Sequence, residues 1–181
     1  MKTLLKTVFL VALISAIAAG TTVVPLSVEK IAAASAHVIE GTAGESWSQW
    51  NPQHTLIYTY TRFHVSRTLK GSVPPTVIVR QLGGSAEGYT QHVAGVRHWR
   101  QGEQSVLFLH PSEGNDGTLS VTGLMQGNFA LYRAPSGAIM VTNGMPGVSA
   151  YQPSTNAVSA YQGNVMRLDE LESRVQKGGQ R

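Results

Sequence analysis

Cysteine is absent from all 181 residues of the sequence. Without thiols the chain forms no disulfide bond, carries no thiolate nucleophile and builds no zinc site with cysteine ligands. A lipid-modified N-terminal cysteine is excluded for the same reason. A chain of this length still buries about two-thirds of the surface that its unfolded form exposes, so we expect one domain that is held together by its hydrophobic core.

Charged residues are also few, at 13% of the sequence. The formal net charge is +4, and the arginines and lysines are scattered along the chain without forming a cluster. Nucleic-acid binding needs a concentrated basic patch that neutralises phosphates. The composition therefore predicts that nucleic acid is not a partner of this protein.

Long apolar runs are absent after the first twenty residues. Lys2 and Lys6 precede an apolar run over residues 7–19, in which residues 16–18 (AIA) fit the small-x-small pattern of a signal-peptidase site. The run spans about 13 residues, whereas a transmembrane helix needs about 20. We therefore predict a signal peptide over residues 1–18 and an exported, periplasmic or extracellular protein that is free of the membrane after cleavage. The alternative is an uncleaved N-terminal anchor.

Side-chain character alternates without a break over residues 55–71, TLIYTYTRFHVSRTLKG. A period of two places successive residues on opposite faces of a β-strand, and β-branched and aromatic residues suit a half-buried sheet. Pro74 and Pro75 follow, and proline donates no ladder hydrogen bond, so the strand ends before them. The predicted core face is Ile57, Thr59, Thr61, Phe63 and Val65, and the predicted partly exposed face is Tyr58, Tyr60, Arg62, His64 and Ser66.

Seven or eight short strands are predicted in total, with turn signals about every ten residues. The first covers residues 37–43, and residues 45–54 then leave it and turn into the long strand, so that the two strands form a hairpin. Residues 104–109, QSVLFL, are typical of a central strand that is buried on both faces. Residues 142–163 are rich in Gly, Pro, Ser and Asn, show no periodicity and are predicted to be a loop.

Helices are predicted only near the two ends of the chain. Ser27 is a candidate cap for a helix through VEKIAAASA, and apolar residues at helical spacing predict a C-terminal helix over residues 165–177. Short strands with frequent turns favour an antiparallel arrangement over βαβ units. We predict a single mainly β domain over residues 19–181, either an antiparallel OB-like barrel or, alternatively, a β-sandwich, with a short N-terminal and a C-terminal helix.

Five phrases made of strands and turns lie within residues 36–133: IEGTAGESWSQW, IYTYTRFHVSRTLKG, TVIVRQLGG, WRQGEQSVLFL and VTGLMQGNFAL. Together they resemble a group of uncharacterised exported bacterial proteins rich in β-structure. This resemblance implies export and a strand-rich fold, and it implies no particular activity. The order of the strands also resembles that of the OB-like barrel of the netrin and metalloproteinase-inhibitor modules.

The second resemblance concerns the fold pattern alone. Inhibitors of that kind present an N-terminal cysteine to the catalytic zinc of a protease, and this chain has no cysteine. Zinc chelation is therefore not carried over, because a shared fold does not transfer a function without its site.

Catalytic and metal-binding residues show no recognisable spacing. The six histidines include no pair at i, i+4 on a helix, so no metal is predicted. A G-x-S-x-G nucleophile turn is absent, and a pair of carboxylates for glycoside hydrolysis would have to come from scattered glutamates such as Glu87 and Glu103. We therefore assign no catalytic residue and no cofactor.

Aromatic and basic residues on and near the long strand are the best candidates for a binding surface. If exposed, they mark a contact with a protein or a glycan; alternatively, they form a second small core under the terminal helix. The candidate binding residues are Trp47, Trp50, Tyr58, Tyr60, Arg62, His64 and Trp99.

The sequence thus predicts an exported binding or protein-interaction module rather than an enzyme. The alternative is a hydrolase of the cell envelope that uses an unrecognised His/Glu site. The two hypotheses differ in one structural requirement, because the hydrolase needs His64, His92, His98 and Glu103 to converge in one pocket.

Overall fold

The computed structural model of the chain describes residues 21–114 and 116–179. The predicted signal peptide, residues 1–18, lies outside the described residues. Within them the strands are β1 (Thr22–Val23), β2 (His37–Trp50), β3 (Ile57–Lys70), β4 (Thr76–Leu82), β5 (Gly84–Ala86), β6 (Tyr89–Gln91), β7 (Gln104–Pro111), β8 (Leu119–Val121), β9 (Asn128–Arg133), β10 (Ile139–Thr142), β11 (Ser149–Gln152), β12 (Ala157–Ala160) and β13 (Val165–Arg167). The helices are α1 (Val28–Ala34), α2 (Leu168–Gly178) and a 3-10 turn at Leu124–Gly127. The prediction of a mainly β fold with a helix near each end is confirmed.

Most strands belong to one eight-stranded sheet in the order β13-β10-β9-β7-β2-β3-β4-β8. β8 also pairs with the far end of β7, so hydrogen-bonded ladders join β7, β2, β3, β4 and β8 in a closed circuit. Neighbours in this circuit are antiparallel except β4 and β8, which are parallel and share the single pair Val79–Leu119. The circuit of paired strands therefore closes through one residue pair.

The longest hairpin joins β2 to β3, and each of these strands has 14 residues. β3 keeps the predicted alternation, with Ile57 and Phe63 buried on the inner face. The prediction that the first strand ends at residue 43 is wrong, because β2 continues to Trp50. The strand bends at a register shift between Ala43 and Ser46 and then resumes its pairing with β3. Bulges of this kind bend a strand without ending it.

β7 lies at the centre of the fold. It pairs with β2 along one edge and with β9 and then β8 along the other. Val106 and Phe108 pack into a core under the two helices, whereas Leu107 and Leu109 pack into a second core inside the strand circuit. The prediction of a central strand buried on both faces is confirmed.

The two helices pack against each other over the first core. Ser27 caps α1, because its hydroxyl accepts a hydrogen bond of 3.3 Å from the Lys30 N–H, as predicted. Gly178 allows the close approach of α2, since a Cβ atom there would lie 2.6 Å from the carbonyl oxygen of Glu29. Within the described residues, no helix combines the length and the apolar character that crossing a membrane requires.

Two predicted boundaries near the C-terminus are wrong. Residues 142–163 are not a loop throughout, because β11 and β12 form a hairpin there and β11 also pairs with β1. α2 begins at Leu168 rather than at residue 165, because Val165–Arg167 forms β13 and pairs with β10. In both cases pairing with a distant strand decides the conformation of a segment of three or four residues that has little local preference.

Candidate functional site

Cross-strand pairing in β2, β3 and β4 builds a polar and aromatic face on the outside of the sheet. Trp47 pairs with Tyr60, and Gln49 pairs with Tyr58. Arg80 of β4 lies opposite Tyr60 from the other side. Since the alternate positions of β3 are buried in the core, these five side chains point away from it. We call this surface the outer face.

Aromatic and guanidinium groups on the outer face pack against one another. The rings of Trp47 and Tyr60 stack with their centroids 5.6 Å apart and their planes 10° from parallel. The Arg62 guanidinium lies 5.9 Å from the centroid of the Trp47 ring, and that of Arg80 lies 4.8 Å from the centroid of the Tyr58 ring. Stacking and cation–π contacts of this kind hold side chains in fixed orientations.

Each of these arginines is also ion-paired. Arg62 lies 2.7 Å from the carboxylate of Glu45. The Arg80 side chain is only 13% exposed, lies 3.0 Å from the carboxylate of Asp116, and donates a hydrogen bond of 2.7 Å to the carbonyl oxygen of Glu113. The positive charges of the outer face are therefore balanced by neighbouring acidic groups.

Asp116 is itself fixed by the turn that contains it. The Thr118 hydroxyl donates to its carboxylate over 2.6 Å, and the Thr118 N–H donates over 3.0 Å. The hydroxyl hydrogen bond is the main cause that holds the pKa of Asp116 below its ordinary value of 3.8, and the Arg80 charge adds to it. Asp116 is consequently a carboxylate at neutral pH.

A groove of about 600 Å³ runs over the outer face, between the loop that joins β2 to β3 and the loop that follows β7. Asn51 holds the first of these loops, because its side-chain oxygen accepts hydrogen bonds from the N–H groups of Thr55 and Leu56. We call this feature the outer groove. It is lined by Gln49, Trp50, Asn51, Pro52, Gln53, Tyr58, Tyr60, Arg80, Glu113, Gly114 and Asp116.

A second space of about 380 Å³ adjoins the outer groove, and Tyr58, Arg80 and Glu113 line both. We call it the adjoining cavity. Its further walls are largely aliphatic, and His110 lies among them with Nδ1 3.2 Å from the Thr122 hydroxyl. These further walls are formed by Gln81, Leu82, Val96, His110, Ser120, Val121 and Leu124.

The candidate binding residues fall into two groups in the structure. Trp47, Tyr58, Tyr60 and Arg62 lie together on the outer face, as described above. His64 is an exposed residue farther along the same face of β3, where it lies between Thr42 of β2 and Thr76 of β4. For Tyr58, Tyr60, Arg62 and His64 the placement on a shared surface agrees with the predicted alternation, whereas Trp47 joins them because β2 continues past the predicted end of the strand.

The other two candidates, Trp50 and Trp99, lie apart from this group. Trp99 is 6% exposed, packs edge-on against Phe63 at 4.8 Å and donates a hydrogen bond of 3.3 Å to the side chain of Asn128. It belongs to the core inside the strand circuit, so its assignment to a binding surface is wrong. Trp50 lines one end of the outer groove, but its ring stacks on His54 and meets the edge of Tyr89 at the end of the hairpin.

The convergence that the hydrolase alternative requires is not observed. His64 lies on the outer face, His98 bonds the Leu82 carbonyl oxygen at 3.0 Å, and Glu103 pairs with Arg97. Neither these residues nor His92 line the outer groove or the adjoining cavity. In the part of the chain that the structure describes, no three His, Asp or Glu side chains are grouped in a way that could hold a metal ion.

Four further residues line the groove or the cavity although they are not among the predicted site residues: Arg80, His110, Glu113 and Asp116. Alternation in TVIVRQL places Arg80 on the side opposite Val79, so the sequence pattern is sufficient to predict that Arg80 points outward. His110, near the end of β7, lines the adjoining cavity. Glu113 and Asp116 follow the end of β7 and reach the outer groove only because β8 closes the circuit beside β4. No local pattern in the sequence carries that information.

Comparison with protein-family models and with curated proteins gives no significant match for this chain. The resemblance to exported bacterial proteins rich in β-structure therefore stays a prediction.

Proposed function

We propose that this chain is an exported binding module that holds its partner, a protein or a glycan, in the outer groove. One observation carries the proposal: aromatic, amide and charged side chains line a groove built by three strands and two loops, on the face of the hairpin opposite the core. These side chains belong neither to the core under the two helices nor to the core inside the strand circuit.

The fixed geometry of the groove supports this proposal. Tyr58 and Tyr60 are each packed against a neighbouring side chain, and Arg80 is held by contacts with Asp116 and Glu113. A surface whose side chains are already ordered loses less conformational entropy when a partner binds. Export is supported separately by the signal-like pattern of the first 19 residues of the sequence.

Affinity capture with a matched pair of variants tests the proposal. The purified protein, a Gln49→Ala/Tyr60→Ala groove variant and a Tyr132→Ala/Gln176→Ala control are immobilised and exposed to envelope and culture-medium extracts. The control removes the same residue types outside the groove, and Tyr132 is 43% exposed. Bound proteins are identified by mass spectrometry and bound sugars by monosaccharide analysis.

We expect a partner that the wild type and the control retain and that the groove variant loses, with all three proteins folded by circular dichroism. A partner retained equally by all three would show that the outer groove is not the contact. Retention of no partner by the folded wild type would contradict the proposal as a whole.

A further inference from the structure

The charges around the outer groove disfavour a polyanionic ligand. Among the described residues of its lining, Arg80 is the only basic one, and it is already engaged by Asp116 and by the Glu113 carbonyl. Arg62, another basic residue of the outer face, is paired with Glu45. A phosphate, sulfate or uronate chain would therefore meet two acidic residues without an unpaired cation, and such like-charge contacts are unfavourable.

The hydrogen-bonding groups of the lining suit a ligand that is rich in hydroxyl groups. The carboxamides of Gln49 and Gln53 and the hydroxyls of Tyr58 and Tyr60 can each both donate and accept. Sugar hydroxyls have the same double capacity. Pro52 is the only aliphatic side chain among the lining residues that the structure describes, whereas a peptide contact depends on apolar anchors in buried pockets.

The adjoining cavity is more apolar than the outer groove beside it. Leu82, Val96, Val121 and Leu124 make its walls largely aliphatic, and it opens beside Tyr58, which also lines the outer groove. A short apolar branch on a ligand in the groove would remove aliphatic surface from water there. An acyl group is such a branch, and its carbonyl oxygen can accept a hydrogen bond.

We infer that the outer groove binds a neutral oligosaccharide and that the adjoining cavity receives an N-acyl substituent of one of its sugars. This inference rests on the proposed function and names the class of ligand for the same groove. The groove supplies hydrogen bonds to sugar hydroxyls, and the cavity supplies the preference for an acylated unit.

Isothermal titration of the purified protein with three hexasaccharides tests the ligand class. The probes are chitohexaose, which is neutral and N-acetylated, cellohexaose, which is neutral without acyl groups, and hexagalacturonic acid, which is anionic. We expect chitohexaose to bind most tightly, cellohexaose more weakly and hexagalacturonic acid not at all. Hexagalacturonic acid as the tightest ligand, or equal affinity for the two neutral probes, would overturn the inference.

Two variants test the roles of the groove and of the cavity separately. Tyr60→Phe removes one hydroxyl from the groove and should weaken chitohexaose and cellohexaose by about five- to tenfold each, whereas Tyr132→Phe, its control outside the groove, should change neither. Leu124→Ala shortens a side chain of the cavity that is 40% exposed. It should lower the affinity for chitohexaose alone, and an unchanged preference would contradict the role of the cavity.

Failure of this inference and failure of the proposed function give different results. No hexasaccharide binding, together with a protein partner that the groove variant of the capture experiment loses, would overturn the oligosaccharide assignment and leave the binding module in place. No binding of any probe and no captured partner would overturn both.

Discussion

Two tryptophans on opposite sides of the β2–β3 hairpin, Trp47 and Trp99, have different roles. Trp47 lies half-buried on the outer face, where it stacks with Tyr60. Trp99 fills the centre of the strand circuit, where it contacts Phe63 and donates to Asn128. The first can be removed with loss of surface contacts, whereas removal of the second leaves a cavity.

Trp99→Ala should lower the free energy of unfolding by about 3–5 kcal/mol, because it deletes a buried indole and leaves a cavity. Trp47→Ala should cost less than half as much, since its ring is partly exposed. Urea denaturation followed by circular dichroism measures both, and Trp99→Phe shows how much of the loss comes from volume. Equal losses for Trp47→Ala and Trp99→Ala would contradict the core assignment of Trp99.

The contribution of Asp116, a residue of the outer groove, to the free energy of unfolding depends on pH. The Thr118 hydroxyl, and after it the Thr118 N–H and the Arg80 charge, hold the pKa of this carboxyl below its ordinary value of 3.8. At low pH the unfolded chain therefore binds more protons at this position than the folded chain does. The stabilisation is complete above the ordinary pKa and is lost as the pH falls through the lower, folded value.

Comparison of the wild type with Asp116→Asn over a pH series should show this loss. We expect a difference in unfolding free energy that is constant around neutral pH and shrinks as the pH falls below about 3.8. In Thr118→Val the Asp116 pKa, followed by carboxyl NMR titration, should rise towards the ordinary value. A difference that persists unchanged in acid would show that the carboxylate charge does not stabilise the turn.

Among the elements, α1 depends on the end of a distant strand. Lys70, the last residue of β3, donates through Nζ to the carbonyl oxygens of Ala32 and Ser35, at 2.6 and 2.8 Å. These carbonyls lie at the C-terminal end of α1, where a helix leaves acceptors unpaired and favours a positive charge. A helix of seven residues has little stability of its own, so this contact helps to fix it against the sheet.

Lys70→Met should therefore lower the free energy of unfolding by about 1–2 kcal/mol while it preserves most of the packing of the aliphatic stem. Lys177→Met is the matched control, because Lys177 is an exposed lysine in the last turn of α2. Urea denaturation of both variants gives the comparison. A loss in Lys177→Met as large as that in Lys70→Met would show that the two hydrogen bonds of Lys70 contribute nothing beyond a positive charge near a helix end.

The elements also show which structures a local pattern predicts. The sequence predicts β3 and β7 correctly, because alternation over residues 55–71 and an apolar run over residues 104–109 are strong signals. β11 and β12 were missed, because four-residue strands rich in small and polar side chains form only where β1 and the cluster around Tyr161 support them. The end of β2 was placed too early for a related reason, since pairing with β3 extends it to Trp50.

At the scale of the whole molecule, the candidate site depends on the closure of the strand circuit. Tyr58 and Tyr60 of β3 follow from alternation in the sequence, but Glu113 and Asp116 join them only because β8 returns beside β4 and pairs Leu119 with Val79. Closure is a property of long-range pairing, and no stretch of ten residues encodes it. A sequence can therefore indicate one wall of such a groove before the topology is known, but not the other.

Closure also predicts an order of local stability across the molecule. Val106 in β7 pairs with Glu40 on one side and with Phe129 on the other, and its side chain is fully buried. The four residues of β12 are exposed and, among the described strands, pair with β11 alone, in a separate three-stranded sheet. Backbone groups with few buried contacts open at low free energy, whereas those at the centre of a core open only with global unfolding.

Native-state hydrogen exchange at neutral pH, read by mass spectrometry or NMR, should therefore find the slowest amides in β7. Those of β12 should exchange early, at a free energy well below that of global unfolding. If the pairing of β4 with β8 is stable in solution, the backbone amides of β4 should exchange as slowly as those of β7. Exchange of β4 as early as β12 would mean that the circuit opens at this edge, and the outer groove would then lose the wall that carries Glu113 and Asp116.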